Sequence, residues 1–115
     1  MSKASISWTI GNYQFGLYLK ENNQLIGDIF IEIDGHTTFT LGYYLDMCYW
    51  SKGYASEALK SVFKAMHETY SFKICLCHVY EDNIKSIKLL ERNGFDKIHK
   101  SWFYQDVLYR KMLNK

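Results

Sequence analysis

Two short stretches of this chain carry residue types suited to holding an anionic ligand. The first is Tyr49-Trp50-Ser51-Lys52-Gly53-Tyr54-Ala55-Ser56-Glu57-Ala58, between a predicted strand and a predicted helix. Gly53 removes side-chain bulk where the backbone must turn, and Ala55 keeps the helix start small. Such a turn aims several backbone N–H groups at one point, and the helix dipole adds a field that favours an anion, for example a pyrophosphate. Taken alone, a glycine before a helix is equally an ordinary turn. The second stretch is Asn83-Ile84-Lys85-Ser86-Ile87-Lys88-Leu89-Leu90-Glu91-Arg92-Asn93-Gly94-Phe95. Asn83 and Ser86 are three apart and share one helical edge near its start. The plainer reading is that Asn83 caps the helix and Ser86 is solvated.

Other reactive residue types read as structural. On a strand, Cys75 and Cys77 share a face and His78 points the other way. A tetrahedral zinc site needs four convergent ligands, and the sequence has no second cysteine pair, so no metal is expected and the thiols read as core filling. Cys48 has no base paired with it, as nucleophilic use requires. His36 reads as a loop residue, and His67 and His99 show no partner pattern. The cluster Tyr43, Tyr44, Tyr49, Trp50 and Tyr54 is either core packing and loop anchoring or an aromatic wall for a ligand.

The elements that must position these residues follow from hydrophobic period. Phe15–Leu19 is strand-like, Glu21-Asn22-Asn23 is a turn, and Leu25–Ile33 is a strand in which Ile29, Ile31 and Ile33 alternate with Asp28, Phe30 and Glu32. Phe30 is the exception to that pattern. Asp34-Gly35 signals a hairpin, and Thr37–Leu45 is a third strand. The period then changes: Ala55, Ala58, Leu59, Val62, Phe63 and Met66 line one face of a helix. Phe72–Tyr80 is a strand, Asn83–Asn93 a helix ended by Gly94, and two last strands run through Phe95–Phe103 and Val107–Met112. The order β-β-β-α-β-α-β-β defines an α/β (α+β) mixed sheet, and the strand–helix–strand crossover demands a parallel pair.

Composition bounds the class. The chain has 115 residues, 48% hydrophobic and 23% charged, with net charge +2, which fits one domain spanning 1–115 and excludes a disordered chain. No apolar run nears the ~18 residues of a membrane span. The weak, scattered positive charge gives no nucleic-acid footprint. Met1-Ser2-Lys3-Ala4-Ser5 leads into no long apolar stretch, and three cysteines argue against a disulfide framework. The expectation is a reduced, cytoplasmic protein.

Together the two stretches resemble the GNAT superfamily of N-acetyltransferases: its acyl-CoA pyrophosphate loop, then the N-x-x-S-x-x-L-x-E-x-x-G-F helix. Gly42-Tyr43 before the loop and Trp50-Ser51-Lys52-Gly53-Tyr54-Ala55 within it are similar to the branch of ribosomal-protein alanine acetyltransferases. The resemblance covers residues 13 to 113. It implies that the strand ending near Leu45 splays from the strand Phe72–Tyr80 and that acetyl-CoA wedges between them. It further implies that the amides of Lys52, Gly53, Tyr54, Ala55 and Ser56 hold the pyrophosphate, that Asn83 contacts the pantetheine, and that Ser86 lies near the thiol. A primary amine, from a protein N-terminus or a small molecule, then attacks the thioester directly, with a backbone N–H near Leu45 facing the oxyanion.

Three departures shape the expectation. Members usually carry one more strand and two helices before the position of Phe15; here residues 1–12 read as a remnant, with Ile6–Ile10 the end of a helix or a strand. A homodimer or strand exchange would cover the exposed sheet face, unless the sequence is truncated. Many members carry a tyrosine, general acid for the departing thiolate, at the position of Leu90; Ser86 or Tyr104 is the candidate replacement. The branch often has an acidic residue at the position of Thr40, so the base is left among Glu32, Asp46 and a water chain. Trp102, Phe103 and Tyr104 sit where relatives close the acceptor side. The competing reading is a CoA-binding or dimerising module without turnover.

Overall fold

Strand β2 (Leu25–Ile33) shows how the pattern becomes structure. Its odd-numbered isoleucines 29, 31 and 33 are buried, while Phe30 and Glu32 face outward. In the computed structural model, which describes residues 11–33, 35–50, 52–100 and 106–113, β2 is flanked by β1 (Gly11–Tyr18) and β3 (Thr38–Leu45), both antiparallel to it. A short 3-10 turn (Met47–Tyr49) leads to α1 (Tyr54–Lys64), which continues as a wider π-type turn over Ala65–Thr69. Then follow β4 (Ile74–Tyr80), α2 (Ile84–Arg92), β5 (Asp96–Lys100) and β6 (Asp106–Met112). The expected mixed α/β order is the observed one. The sheet runs β1-β2-β3-β4-β6-β5, with β3 and β4 parallel.

Both helices lie on one face. Leu59, Val62, Phe63 and Met66 from the α1 segment and Leu89 and Leu90 from α2 share a buried cluster with Ile29, Ile31, Leu41, Cys77 and Tyr109. Among the described residues the other face is open: Phe30 is 43% exposed, Tyr44 59% and Tyr80 65%. Phe30 is thus no exception to the alternation but the apolar residue of the open face.

β1 begins earlier than its composition suggests. Asn12 and Gln14 are exposed, and their polarity hides the strand, although Tyr13, Phe15 and Leu17 pack inward. At the other end, β5 is described to Lys100. Residues 1–10, which include the Ile6–Ile10 segment, and 101–105, which include Trp102, Phe103 and Tyr104, lie outside the described residues.

β3 and β4 pair from Thr38↔Ile74 to Leu41↔Cys77 and no further, although β3 runs to Leu45 and β4 to Tyr80. Each outer partner stays attached: Gly27 pairs with Leu45, and Tyr80 with Asp106. The two strands therefore part in the middle of the sheet. Gly27 holds the β2 side of the split. A Cβ there would collide with the backbone carbonyl oxygen of Tyr44. Gly27→Ala is expected to destabilise the protein by about 1–3 kcal/mol, read as a lower urea midpoint, because the strands cannot separate without losing Leu45 from the core.

Candidate active site

The split is the centre of the site, and strand geometry says what lines it. Asp46 donates its N–H to Ile26 O at 2.9 Å, so even-numbered β3 residues bond towards β2. The backbone groups of Tyr43 and Leu45 therefore point the other way, into the gap that β4 has left. The Leu45 carbonyl accepts from the Trp50 indole Nε1 at 2.7 Å. That bond folds the loop after β3 back over the end of the gap. Lys85 Nζ stands 4.6 Å from the Trp50 ring centroid, which ties the loop to α2 as well.

On the helix side, the gap opens into a cavity of about 300 Å³. Of the residues singled out in the sequence, Leu45, Gly53, Ala55, Ser56, Asn83 and Ser86 line it, with Tyr43, Tyr44, Tyr49 and Trp50 of the aromatic cluster. Lys52 and Tyr54 belong to the same turn but do not line it: Lys52 is exposed, and Tyr54 packs on the core beside Tyr49. Three cations were missed by the sequence reading: Lys85, Lys88 and Arg92 also line the cavity. Their spacing of three and four was the available signal, one stripe along α2.

Gly53 is the N-cap of α1, with φ +82°. Its value lies in that left-handed backbone and not in relief of crowding, since a Cβ there would meet nothing within 4 Å. That corrects the expectation that bulk had to be removed. Gly53 brings no side chain to cap the helix, so among the described residues the leading amides of α1 have no side-chain cap at their N-cap position, where the helix dipole is positive. Asn83 does cap α2: its Oδ1 accepts from Ser86 N at 3.3 Å. It still faces the cavity, so the capping and lining readings coexist. At the far end of α2, buried Asn93 donates from Nδ2 to Leu89 O at 2.8 Å and to Ser56 Oγ at 3.2 Å. The last turn of α2 is thereby pinned to the first turn of α1.

Ser86 is half-buried and paired. Its hydroxyl shares a 2.5 Å hydrogen bond with the Tyr43 hydroxyl. Burial pushes the Tyr43 phenol up to about 12, partly offset by the Ser86 bond. Burial also pushes the Cys77 thiol up to about 12, and it holds Cys75 well above the usual thiol range. Tyr43 and Cys77 are both held neutral by the fold, whereas in the unfolded chain they ionise near 10.0 and 9.0. The stability they confer is complete below pH 9.0 and is lost as pH rises towards about 12. Urea midpoints should fall across that window, with a smaller fall for Tyr43→Phe.

The proposed base and acid do not converge on one face. Glu32 is exposed on the open face, where it lines a shallow groove with Gln14, Thr40 and His78. The sheet separates it from Ser86. His78 Nδ1 stands 3.3 Å from Asp106 Oδ2, a pair that the sequence reading had not found. Asp46 is exposed, and its Oδ1 accepts from Cys48 N at 3.3 Å, closing the 3-10 turn. Leu90, where a tyrosine was looked for, is fully buried at 0% exposure. His67 has a partner after all: its Nδ1 lies 3.0 Å from Phe72 O. Among the described residues no three His, Cys, Asp or Glu side chains cluster as a metal site, and no helix is long and apolar enough to cross a membrane.

The sheet thus splits between parallel strands, with a glycine-led helix N-terminus at the mouth of the gap. The sequence matches the family model described as acetyltransferase (GNAT) domain over residues 1–96, and the chain belongs to that family. Solved structures share the fold. A GNAT-family acetyltransferase from Bacillus anthracis superposes with TM-score 0.79 at 22% identity, over 89% of this chain and 67% of that one. A Vibrio cholerae protein provisionally assigned as a ribosomal-protein-serine acetyltransferase gives 0.80 at 20%, over 89% and 64%. A variant of the Vibrio cholerae spermidine N-acetyltransferase gives 0.79 at 17%, over 91% and 68%. The chain thus spans about two thirds of the length of these structures.

Proposed function

We propose that the protein is an N-acetyltransferase that moves the acetyl group of acetyl-CoA to a primary amine by direct attack. The observation that carries this reading is the β3–β4 split opening onto the cavity that Ser86 and Gly53 line. The pantetheine arm pairs with the inward backbone groups of Tyr43 and Leu45 as an added strand. The turn over Lys52, Gly53, Tyr54, Ala55 and Ser56 takes the pyrophosphate on its amides, with Lys85, Lys88 and Arg92 supplying positive charge. Asn83 touches the pantetheine. The amine attacks the thioester carbonyl, the Leu45 N–H faces the oxyanion, and Ser86 faces the departing sulfur. Tyr104 stays a second candidate for that last role. Glu32 takes the amine proton from the open face, through water. The surroundings proposed are cytoplasmic, and the state a homodimer joined through the open sheet face.

One observation favours the alternative, a CoA-binding or dimerisation module without turnover: Glu32 and Ser86 lie on opposite faces of the sheet. Calorimetric titration with acetyl-CoA, followed by thiol release with spermidine and with peptides bearing free α-amines, separates the two. Micromolar binding with turnover supports the enzyme, binding without turnover supports the module, and no binding by folded protein removes both. Ser86→Ala is expected to lower turnover about 100-fold while CoA affinity stays within about threefold. Equal losses in both would make Ser86 a binding residue. Solution mass recorded beside the titration tests the dimer.

A further inference from the structure

We infer that Tyr43 is a positioning residue that orients and strengthens Ser86 as a hydrogen-bond donor to the sulfur of the acyl donor. The inference rests on the acetyl-CoA reading above. The two hydroxyls lie 2.5 Å apart, 43 positions apart in sequence, on β3 and α2, the elements that flank the cavity. Either hydroxyl can donate across this contact; in the arrangement proposed the phenol, ordinarily the stronger acid, donates to Ser86 Oγ. That leaves the Ser86 proton to point elsewhere, and the cavity is where the side chain faces. An aliphatic hydroxyl is a weak donor; one that already accepts from a phenol is polarised and donates more strongly.

The arrangement suits the chemistry of this step. As the amine attacks, the C–N bond forms and the C–S bond breaks, with its electron pair passing to sulfur. The amine loses its proton to Glu32 through water and the sulfur regains one from solvent, so the pair of hydroxyls is unchanged at the end. Burial keeps Tyr43 protonated, so the donor is loaded at every working pH. A full proton transfer from such a phenol to a thiolate is uphill, because a free thiol ionises near 8.5 (approximately). Tyr43 and Ser86 therefore stabilise the developing charge by hydrogen bonding and do not hand over a proton. Cys77 of β4 faces Tyr43, and Lys85, Lys88 and Arg92 of α2 line the cavity, with Tyr44 and Tyr49 from the β3 side. All of these are common to wild type and the variants below, so a difference between them isolates the pair.

The test needs coenzyme A alone. The thiol of bound coenzyme A is titrated by its thiolate ultraviolet absorption in wild type, Tyr43→Phe, Ser86→Ala and the double variant, with affinity by calorimetry. Expected is a thiol pKa about half a pH unit higher in Tyr43→Phe and about one unit higher in Ser86→Ala, with the double variant equal to Ser86→Ala. Affinities should agree within about threefold. A thiol pKa unchanged in Tyr43→Phe, or additive losses in the double variant, overturns the inference. Melting curves confirm folding, and if the Phe variant does not fold, an unchanged thiol pKa in Ser86→Ala overturns it equally. A folded wild type that gives no heat with coenzyme A removes the underlying functional reading instead, and this inference with it.

Discussion

Gly53→Glu eliminates measurable coenzyme A binding while the fold stays assembled. The expected loss is more than about 100-fold in affinity. Two effects add. A non-glycine residue at φ +82° costs about 1 kcal/mol, which loosens the turn that aims the amides. The new carboxylate then stands at the N-terminus of α1, where the phosphates need positive potential. The protein itself tolerates the side chain, because a Cβ at Gly53 meets nothing within 4 Å. Gly53→Ala is the control: it keeps the backbone cost without the charge and should weaken binding tenfold or less. Calorimetry reads affinity, and a melting curve shows that the variant is folded. Unchanged affinity in the glutamate variant would remove the pyrophosphate assignment.

The second large effect concerns stability. Leu90 is fully buried, and its carbonyl accepts from Phe95 N at 3.0 Å where α2 ends. Leu90→Ala should cost about 2–5 kcal/mol, read as a shift in urea midpoint. Leu90→Tyr is the more informative change. It introduces the tyrosine that the resemblance leads one to expect there, yet it should also destabilise, by about 1–3 kcal/mol, because a larger side chain overpacks a fully buried site. Its turnover should not exceed wild type. A stable Leu90→Tyr variant with raised turnover would show that the position still reaches the sulfur.

Much of this is legible in the sequence. The order of elements followed from two periods, and the glycine-led turn and the Asn83–Ser86 helix stood out by spacing. What stayed hidden were relations across the sheet. Tyr43 and Ser86 meet only because α2 packs over β3, and nothing local in either stretch encodes that. Lys85, Lys88 and Arg92 read as scattered charges until α2 turned their stripe to the cavity. Glu32 looked usable as a base because sequence distance says nothing of faces; strand parity puts it opposite Ser86. β1 was read short because Asn12 and Gln14 lie on an open face, where polar residues are as acceptable as apolar ones.

Asn93 and Gly94 form a dipeptide prone to spontaneous deamidation, in which the glycine nitrogen attacks the asparagine side-chain carbonyl. Here the Gly94 N–H is engaged by Glu91 O at 3.1 Å, and the Asn93 amide is held by Leu89 and Ser56. The folded chain therefore shields its own weak point from chemical ageing. Conversion to aspartate would remove the donor that pins α2 to the first turn of α1 and bury a carboxylate beside the Leu89 carbonyl. The extent of deamidation at Asn93 in an old preparation is thus a record of how long its molecules have spent unfolded.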